Sequence, residues 1–229
     1  MSDKKAALIL GATRGLGLGL ARQYAAAGYT VYATQRSHSE ALAEAVVEAK
    51  GAIHVREADV TDYAQIEKLA GSIHPEKLDV AVINAGVYGG SDQALEDLTI
   101  ENVSDIIQTN ALGPINAARA ILPCMKDGGV VGMMSSKMGS IADSSGGSNL
   151  YRLSKVSQNM LARSLYEKHA KPRGIAVVSL HPGWVQTDMG GANALIDVDT
   201  SVAGMIDVLA NADAGAHRFV AYDGQDMAW

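Results

Sequence analysis

The sequence predicts an α/β fold, a doubly wound parallel sheet of about seven strands with helices on both faces. Two observations support this prediction. Short apolar runs rich in β-branched residues recur along the chain, and longer segments with helical spacing separate them. Alternation of strand and helix is the pattern of right-handed βαβ units, whose strands all run in one direction. The length of 229 residues suits a single domain over 1–229.

The elements follow one another along the chain. The apolar runs predict strands at 6–10, 30–34, 53–55, 80–84, 130–135, 175–180 and near 217–222. Helical spacing predicts helices at 16–27, 39–50, 63–73, 103–125 and 151–169. Segments rich in glycine and polar residues, 142–149 and 188–194, are predicted as loops. Ligands of such sheets bind at the carboxyl ends of the strands, so both loops are expected beside the site.

The composition argues against several kinds of function. A net charge of −6 disfavours general affinity for nucleic acid or anionic lipid. No apolar stretch has the length needed to span a bilayer, and the run 6–10 is too short for the core of a signal peptide. The single cysteine, Cys124, cannot form an internal disulfide, which fits a reducing cytoplasm. The six histidines lack the spacing of a metal site, so no metal is predicted.

A glycine-rich turn directly follows the first predicted strand. It has the spacing G-xxx-G-x-G and opens a predicted helix, so its backbone N–H groups are expected to approach a pyrophosphate. The order strand, glycine turn, helix predicts a Rossmann-type dinucleotide site. The predicted contacts are Gly11, Thr13, Arg14, Gly15, Leu16 and Gly17.

The end of the second strand indicates which dinucleotide binds. An NAD enzyme usually places a carboxylate there for the adenosine ribose, about twenty residues past the turn. Here the chain reads Thr34-Gln35-Arg36 and offers no acid. Arg36, helped by Arg14 in the turn, suits a 2′-phosphate because guanidinium pairs well with phosphate oxygens. The predicted cofactor is therefore NADP(H).

Tyr151 and Lys155 stand four residues apart on one face of a predicted helix. A fixed positive charge near a phenol favours the phenolate and lowers the tyrosine pKa, so Tyr151 is expected to exchange a proton near neutrality. The spacing alone is weak evidence and gains weight only from its context.

Three further motifs follow the glycine turn in order: Asp59-Val60, Asn84-Ala85-Gly86 and the segment Pro182-Gly183-Trp184-Val185-Gln186-Thr187. With them the chain resembles the classical short-chain dehydrogenase/reductase family over nearly its whole length. The resemblance implies adenine contacts by Asp59 and Val60, cofactor contacts by Asn84, Ala85 and Gly86, and nicotinamide contacts by the segment Pro182, Gly183, Val185 and Thr187. It implies a catalytic set of Asn110, Ser136, Tyr151 and Lys155, in which Tyr151 donates the proton and Lys155 also holds the nicotinamide ribose. Asn110 would hold a water that links Lys155 to solvent.

The choice of serine needs an argument, because the family's usual gap of thirteen residues before the tyrosine lands on Met138. Family members place the serine three residues before a glycine, and Gly139 makes that residue Ser136. Neighbours on a strand point to opposite faces, which leaves Ser135 as the alternative.

The run from His181 to Gly191, the Ser/Gly loop and the end Tyr-Asp-Gly-x-x-x-x-Trp resemble C-factor and Sniffer-type carbonyl reductases. The resemblance implies reduction of an aldehyde, ketone or dicarbonyl. The alternatives are a dinucleotide-binding regulatory protein with little turnover and, less in keeping with the cofactor glycines, an elimination or dehalogenation enzyme. Tyr88, Met138, Trp184 and Met189 are candidates for the pocket lining or for the core. Relatives often pair through the two long helices, so a homodimer is expected.

Overall fold

A computed structural model of the protein describes residues 4–90 and 93–229. Seven parallel strands form one sheet in the order β3-β2-β1-β4-β5-β6-β7. The strands are β1 (Ala6–Leu10), β2 (Thr30–Gln35), β3 (Ile53–Glu57), β4 (Leu78–Ile83), β5 (Met125–Met134), β6 (Ala176–His181) and β7 (His217–Ala221). The strand order reverses between β1 and β4, and this switch point opens a crevice at their carboxyl ends. The predicted fold class is confirmed.

Helices cover both faces of the sheet. They are α1 (Gly15–Ala26), α2 (Glu40–Glu48), α3 (Tyr63–Gly71), α4 (Ile100–Ile107), α5 (Gly113–Ile121), α6 (Asn149–Leu165) and α7 (Val198–Ala210). Apolar residues of α1, α2 and α7 pack in one core layer, and those of α3, α5 and α6 pack in the other. Strand side chains alternate between the layers, as Ile9 and Leu10 show.

The predicted helix 103–125 is not a single α-helix. A π-helical turn, Gln108–Leu112, separates α4 from α5, and Met125 already begins β5. Pro114 gives the physical reason, since it has no N–H to donate to the carbonyl of Asn110 four residues earlier. The helical path therefore widens at Asn110.

The sequence patterns also missed α7. Gly204 in its middle lowers helix propensity, and a Cβ at this position would collide with the carbonyl of Tyr222. The helix start did carry a signal, because Asp197 caps it by accepting a hydrogen bond from the Thr200 N–H at 2.7 Å. Among the described residues, no helix is long and apolar enough to cross a membrane.

Candidate active site

The glycine turn lies at the switch point, between β1 and α1. Gly11 has a φ of +90°, and its N–H donates to Thr34 Oγ1 at 2.9 Å while its carbonyl accepts from Asn84 Nδ2 at 2.8 Å. A Cβ on Gly17 would collide with the Gly11 carbonyl. The turn is thus held between the ends of β2 and β4.

The start of α1 fits a dinucleotide pyrophosphate. Its N-cap residue, Arg14, makes no capping hydrogen bond with its side chain in the part of the chain that the structure describes. The first N–H groups, from Gly15 through Leu16 and Gly17, therefore need acceptors from outside the helix. Such donors together with the helix dipole bind phosphate oxygens.

Arg14 lies in the glycine turn, and Arg36 directly follows β2. The Ser39 hydroxyl donates to the Thr13 carbonyl at 2.8 Å and so ties the segment after β2 to the glycine turn. Arg14 Nη1 lies 2.6 Å from Asp188 Oδ2, and Arg36 Nη1 lies 3.9 Å from Asp59 Oδ2. Both arginine side chains are about three quarters exposed, at 76% and 77%. Exposed ion pairs are weak, so a phosphate could recruit either guanidinium at small cost.

Asp59 and Val60 follow β3 at the same edge of the sheet. Asp59 Oδ1 accepts from the N–H and the hydroxyl of Thr61 at 2.9 and 2.8 Å. Partial burial by itself raises the pKa of this carboxyl, but the hydrogen bonds from Thr61 and the charge of Arg36 outweigh it, and the pKa is lowered. Asp59 is therefore an ionised acceptor, whereas the Val60 side chain is buried in the core.

The segment after β4 connects the glycine turn to the catalytic candidates. A Cβ on Gly11 would lie 3.1 Å from Cα of Ala85. A Cβ on Gly86 would lie 3.2 Å from Asn110 Oδ1 and 3.6 Å from Lys155 Nζ. Asn84, Ala85 and Gly86 thus lie between the predicted cofactor site and the predicted catalytic lysine.

Lys155 is buried beneath Tyr151 on α6. Its Nζ lies 5.7 Å from the centroid of the Tyr151 ring. The ammonium donates to the Met134 carbonyl at 2.7 Å and to Gln158 Oε1 at 3.2 Å. Burial lowers the pKa of Lys155 to about 7.

The pKa of Tyr151 shifts in the direction opposite to the prediction. The pKa is raised to about 12, mainly by burial. The side chain of Ser136 acts to lower the pKa, and the neighbouring Tyr88 phenol raises it further. The predicted lowering of this pKa by Lys155 is wrong for this structure, because desolvation of the phenol has the largest effect and the charge of Lys155 is not among the causes. Lys155 also directs its ammonium to Met134 and Gln158, not to the phenol oxygen.

The structure distinguishes the two serines. Ser135 is buried, and its hydroxyl donates to Asn159 Oδ1 at 2.7 Å. Ser136 is only partly buried, and its side chain lies close enough to that of Tyr151 to lower the pKa of the phenol. Its Oγ also accepts from the Met138 N–H at 3.1 Å. The structure therefore places Ser136 at the tyrosine and gives Ser135 a structural contact.

Asn110 lies within the π-helical turn, fully buried. Its Oδ1 accepts from the Val87 N–H at 2.8 Å, and its Nδ2 donates to the Val87 carbonyl at 2.7 Å and to Ser154 Oγ at 3.0 Å. The side chain thus ties the segment after β4 to α6. Because Pro114 cannot donate to it, the main-chain carbonyl of Asn110 is the better candidate for the predicted water contact.

The segment after β6 closes the other side of the crevice. Pro182 is anchored through its carbonyl, which accepts from Ser201 Oγ at 2.6 Å. Gly183 adopts a φ of +85°, and Val185 pairs with Ile196 in a short bridge. Thr187 faces the glycine turn, since its methyl would lie 3.3 Å from a Cβ on Gly15.

Three of the four pocket candidates are substantially exposed. Tyr88, Trp184 and Met189 are exposed, and Met138 is partly buried. The Tyr88 ring packs against Tyr151 with centroids 5.1 Å apart, so Tyr88 forms an aromatic wall beside the predicted proton donor. These side chains offer an apolar surface for a substrate.

Sequence reasoning missed several residues at the site. Gln93 and Gln158 are buried amides that contact α6 near Tyr151 and Lys155, while Ser39 and Asp188 contact the glycine turn. Gln158 could have been predicted from the sequence, because it lies three residues after Lys155 on the same helix and residues at that spacing are neighbours on one face. The contacts of Gln93 and Asp188 span 58 and 174 residues, and no local pattern reports them.

Comparison with known proteins gives the family. A family model described as short chain dehydrogenase matches residues 5–195. The chain belongs to the short-chain dehydrogenase/reductase family. Among curated proteins, C-signal of Myxococcus xanthus is 39% identical over 156 residues, covering 66% of this chain and 93% of that protein.

Two solved structures show the same fold. A short-chain dehydrogenase/reductase of Burkholderia multivorans, solved with bound NADP, has a TM-score of 0.92 and 31% identity, and covers 99% of this chain and 100% of that one. The carbonyl reductase Sniffer of D. melanogaster has a TM-score of 0.88 and 32% identity over the same shares. The resemblance to the family and to the C-factor and Sniffer group is confirmed, and the protein is a short-chain oxidoreductase.

Proposed function

We propose that this oxidoreductase uses NADPH to reduce an aldehyde, ketone or dicarbonyl to the alcohol, with Tyr151 as proton donor. The observation that carries the proposal is the meeting of Tyr151, Ser136 and Lys155 beside the nucleotide crevice. The relation to Sniffer, named a carbonyl reductase, supports the substrate class. The apolar wall formed by Tyr88 beside Tyr151 suits an apolar or aromatic carbonyl compound.

The side chains at the site suit a bound NADPH, and each has a separate role in the reaction. NADPH, when bound, supplies the hydride that reaches the carbonyl carbon. Tyr151 gives its proton to the oxygen as that atom gains negative charge. Ser136 donates a hydrogen bond to the same oxygen, and this bond strengthens in the transition state. Lys155 would hold the ribose hydroxyls of the nicotinamide nucleotide through its ammonium.

The preference for NADPH rests on the charges at the edge of the crevice. Arg36 and Arg14 are exposed cations near the glycine turn, and no acid stands at the end of β2. NADP bound to the Burkholderia relative supports the same choice. Both guanidiniums would pair with the 2′-phosphate, which NADH lacks.

A second candidate function is dinucleotide binding for regulation, with little turnover. The identity to C-signal favours it, because that name describes a signal. A protein kept only for binding needs Lys155 and the glycine turn but has no use for Tyr151 and Ser136 together. Their contact in this structure favours the reductase.

One titration tests the proposal. Protein fluorescence is followed during separate additions of NADPH and NADH, and the loss of NADPH absorbance is then followed with a panel of aldehydes, ketones and diketones. Tighter binding of NADPH with oxidation by some carbonyls supports the reductase. Binding without oxidation supports the regulatory function, and tighter binding of NADH contradicts the cofactor assignment.

A further inference from the structure

Gln93 is a buried amide on the segment that leads from β4 to α4. It is 5% exposed, and all of its side-chain hydrogen-bonding groups contact protein atoms. Burying an amide costs free energy unless its donors and its acceptor are hydrogen-bonded. The hydrogen bonds of the Gln93 side chain therefore hold it in one orientation. Its partners belong to two different parts of the site.

The first partner is the start of α6, the helix that carries Tyr151. Ser148 at the N-cap has a left-handed φ of 49° and makes no capping hydrogen bond with its side chain in the described parts of the chain. Gln93 supplies the missing acceptors. Its carbonyl accepts from the Asn149 N–H at 3.2 Å, and its Oε1 accepts from the Tyr151 N–H at 2.9 Å. A residue outside the helix therefore caps the first turn.

The second partner is the backbone beside Tyr88. Gln93 Nε2 donates to the Tyr88 carbonyl at 3.0 Å and to the Gly90 carbonyl at 2.8 Å. Tyr88 packs its ring against Tyr151, and its hydroxyl shares a 2.7 Å hydrogen bond with Ser148 Oγ. One amide thus fixes the main chain of Tyr151 and the aromatic wall beside it in a closed ring of contacts.

We propose that Gln93 is a positioning residue for the proton donor: it holds the backbone of Tyr151 and the ring of Tyr88 at the separation the reaction needs. The proposal rests on the proposed reductase function. Gln93 acts through Tyr151, and within the described residues it makes no hydrogen bond to the glycine turn. Misplacement of a reacting group by a fraction of an ångström lowers the rate without weakening remote binding.

The first test is Gln93→Met, which keeps the length of the side chain and removes all three amide contacts. We expect kcat for carbonyl reduction to fall by about tenfold or more, with the dissociation constant for NADPH unchanged within about twofold. Asn102→Ala is the matched control. Asn102 completes the cap of α4 through Thr99, and its side-chain hydrogen bonds within the described chain go to Thr99 and Asp97, not to α6. The control is expected to lower the melting temperature without changing kcat.

The second test, Gln93→Glu, separates positioning from stability. An ionised carboxylate accepts from the Tyr151 N–H but cannot donate to either the Tyr88 or the Gly90 carbonyl, whereas a protonated carboxyl accepts from the same N–H and donates its single O–H to one of the two carbonyls. We expect kcat relative to wild type to recover as the pH falls in Gln93→Glu but not in Gln93→Met. If wild type reduces carbonyls and Gln93→Met retains its kcat, or if Gln93→Glu shows no recovery, the positioning role is contradicted while the reductase stands. If wild type reduces none, the reductase proposal fails and this one with it.

Discussion

Lys155 carries a charge that the surrounding protein does little to solvate. It is 3% exposed, and its ammonium hydrogen-bonds the Met134 carbonyl and the Gln158 amide oxygen and lies over the face of the Tyr151 ring. The sequence placed Lys155 on the correct face of a helix, because that depends on a spacing of four residues. It could not give the direction of the Tyr151 pKa shift, since desolvation depends on packing by distant segments.

The burial of Lys155 predicts a cost in stability that depends on pH. Its pKa is lowered to about 7 from 10.5, so the unfolded chain binds this proton more tightly than the folded protein does. The cost is fully present below about pH 7 and is relieved as the pH rises towards the unfolded value. We expect Lys155→Met to raise the free energy of unfolding at about pH 6 by roughly 1 to 4 kcal/mol, and by less at about pH 9.5. Urea unfolding at both values checks this, and an equal gain at both contradicts it.

Arg36 tests the choice of cofactor. Charge-assisted hydrogen bonds contribute about 1.5–3 kcal/mol, so Arg36→Ala is expected to raise the Michaelis constant for NADPH roughly ten- to hundredfold. The constant for NADH should change little, because NADH has no 2′-phosphate. Arg22→Ala, which removes an exposed arginine paired with Glu48 on α2, is the control and should affect neither constant. Equal losses for both cofactors would overturn the assignment.

At the scale of elements, the fold was largely predictable because the buried strands of a parallel sheet are nearly continuous apolar runs, as in β1 and β6. All seven strands were predicted, with ends that differ by up to five residues, as at the start of β5. The break at Asn110 was not found, because helical spacing continues through the π-helical turn and only Pro114 marks the change. Helix α7 was missed because Gly204 serves a tertiary contact with Tyr222 at the expense of local propensity.

The glycine turn leaves no room for a side chain at Gly17. A Cβ on Gly17 would collide with the Gly11 carbonyl and come within 2.7 Å of Asn84 Nδ2. We expect Gly17→Ala to destabilise the protein by about 1–3 kcal/mol and to abolish detectable NADPH binding, because the turn must open. Gly71→Ala is the control, because Gly71 lies at the end of α3 and nothing is within 4 Å of the added carbon. This variant should bind NADPH as wild type does and be as stable as wild type or slightly more stable. Tight NADPH binding by Gly17→Ala would contradict the pyrophosphate site.

At the scale of the whole molecule, the assembly remains a prediction. Leu153 and Met160 lie two turns apart on one exposed face of α6, at 40% and 64% exposure. Such a face suits the homodimer expected of this family. We expect light scattering to give a dimer, and Met160→Asp to give a monomer that still binds NADPH. Val47→Asp, at an exposed position of α2, should leave the dimer intact. A wild-type monomer would contradict the prediction.

The central claim is that Tyr151 supplies the proton during carbonyl reduction. The most direct measurement compares wild type with Tyr151→Phe in a single turnover, with NADPH already bound and its absorbance followed after the carbonyl is added. We expect the variant to bind NADPH with wild-type affinity and to oxidise it at least about a thousandfold more slowly, because the phenyl ring keeps the packing against Tyr88 but has no proton to give. Oxidation of NADPH by the variant at a rate near that of wild type would contradict the claim.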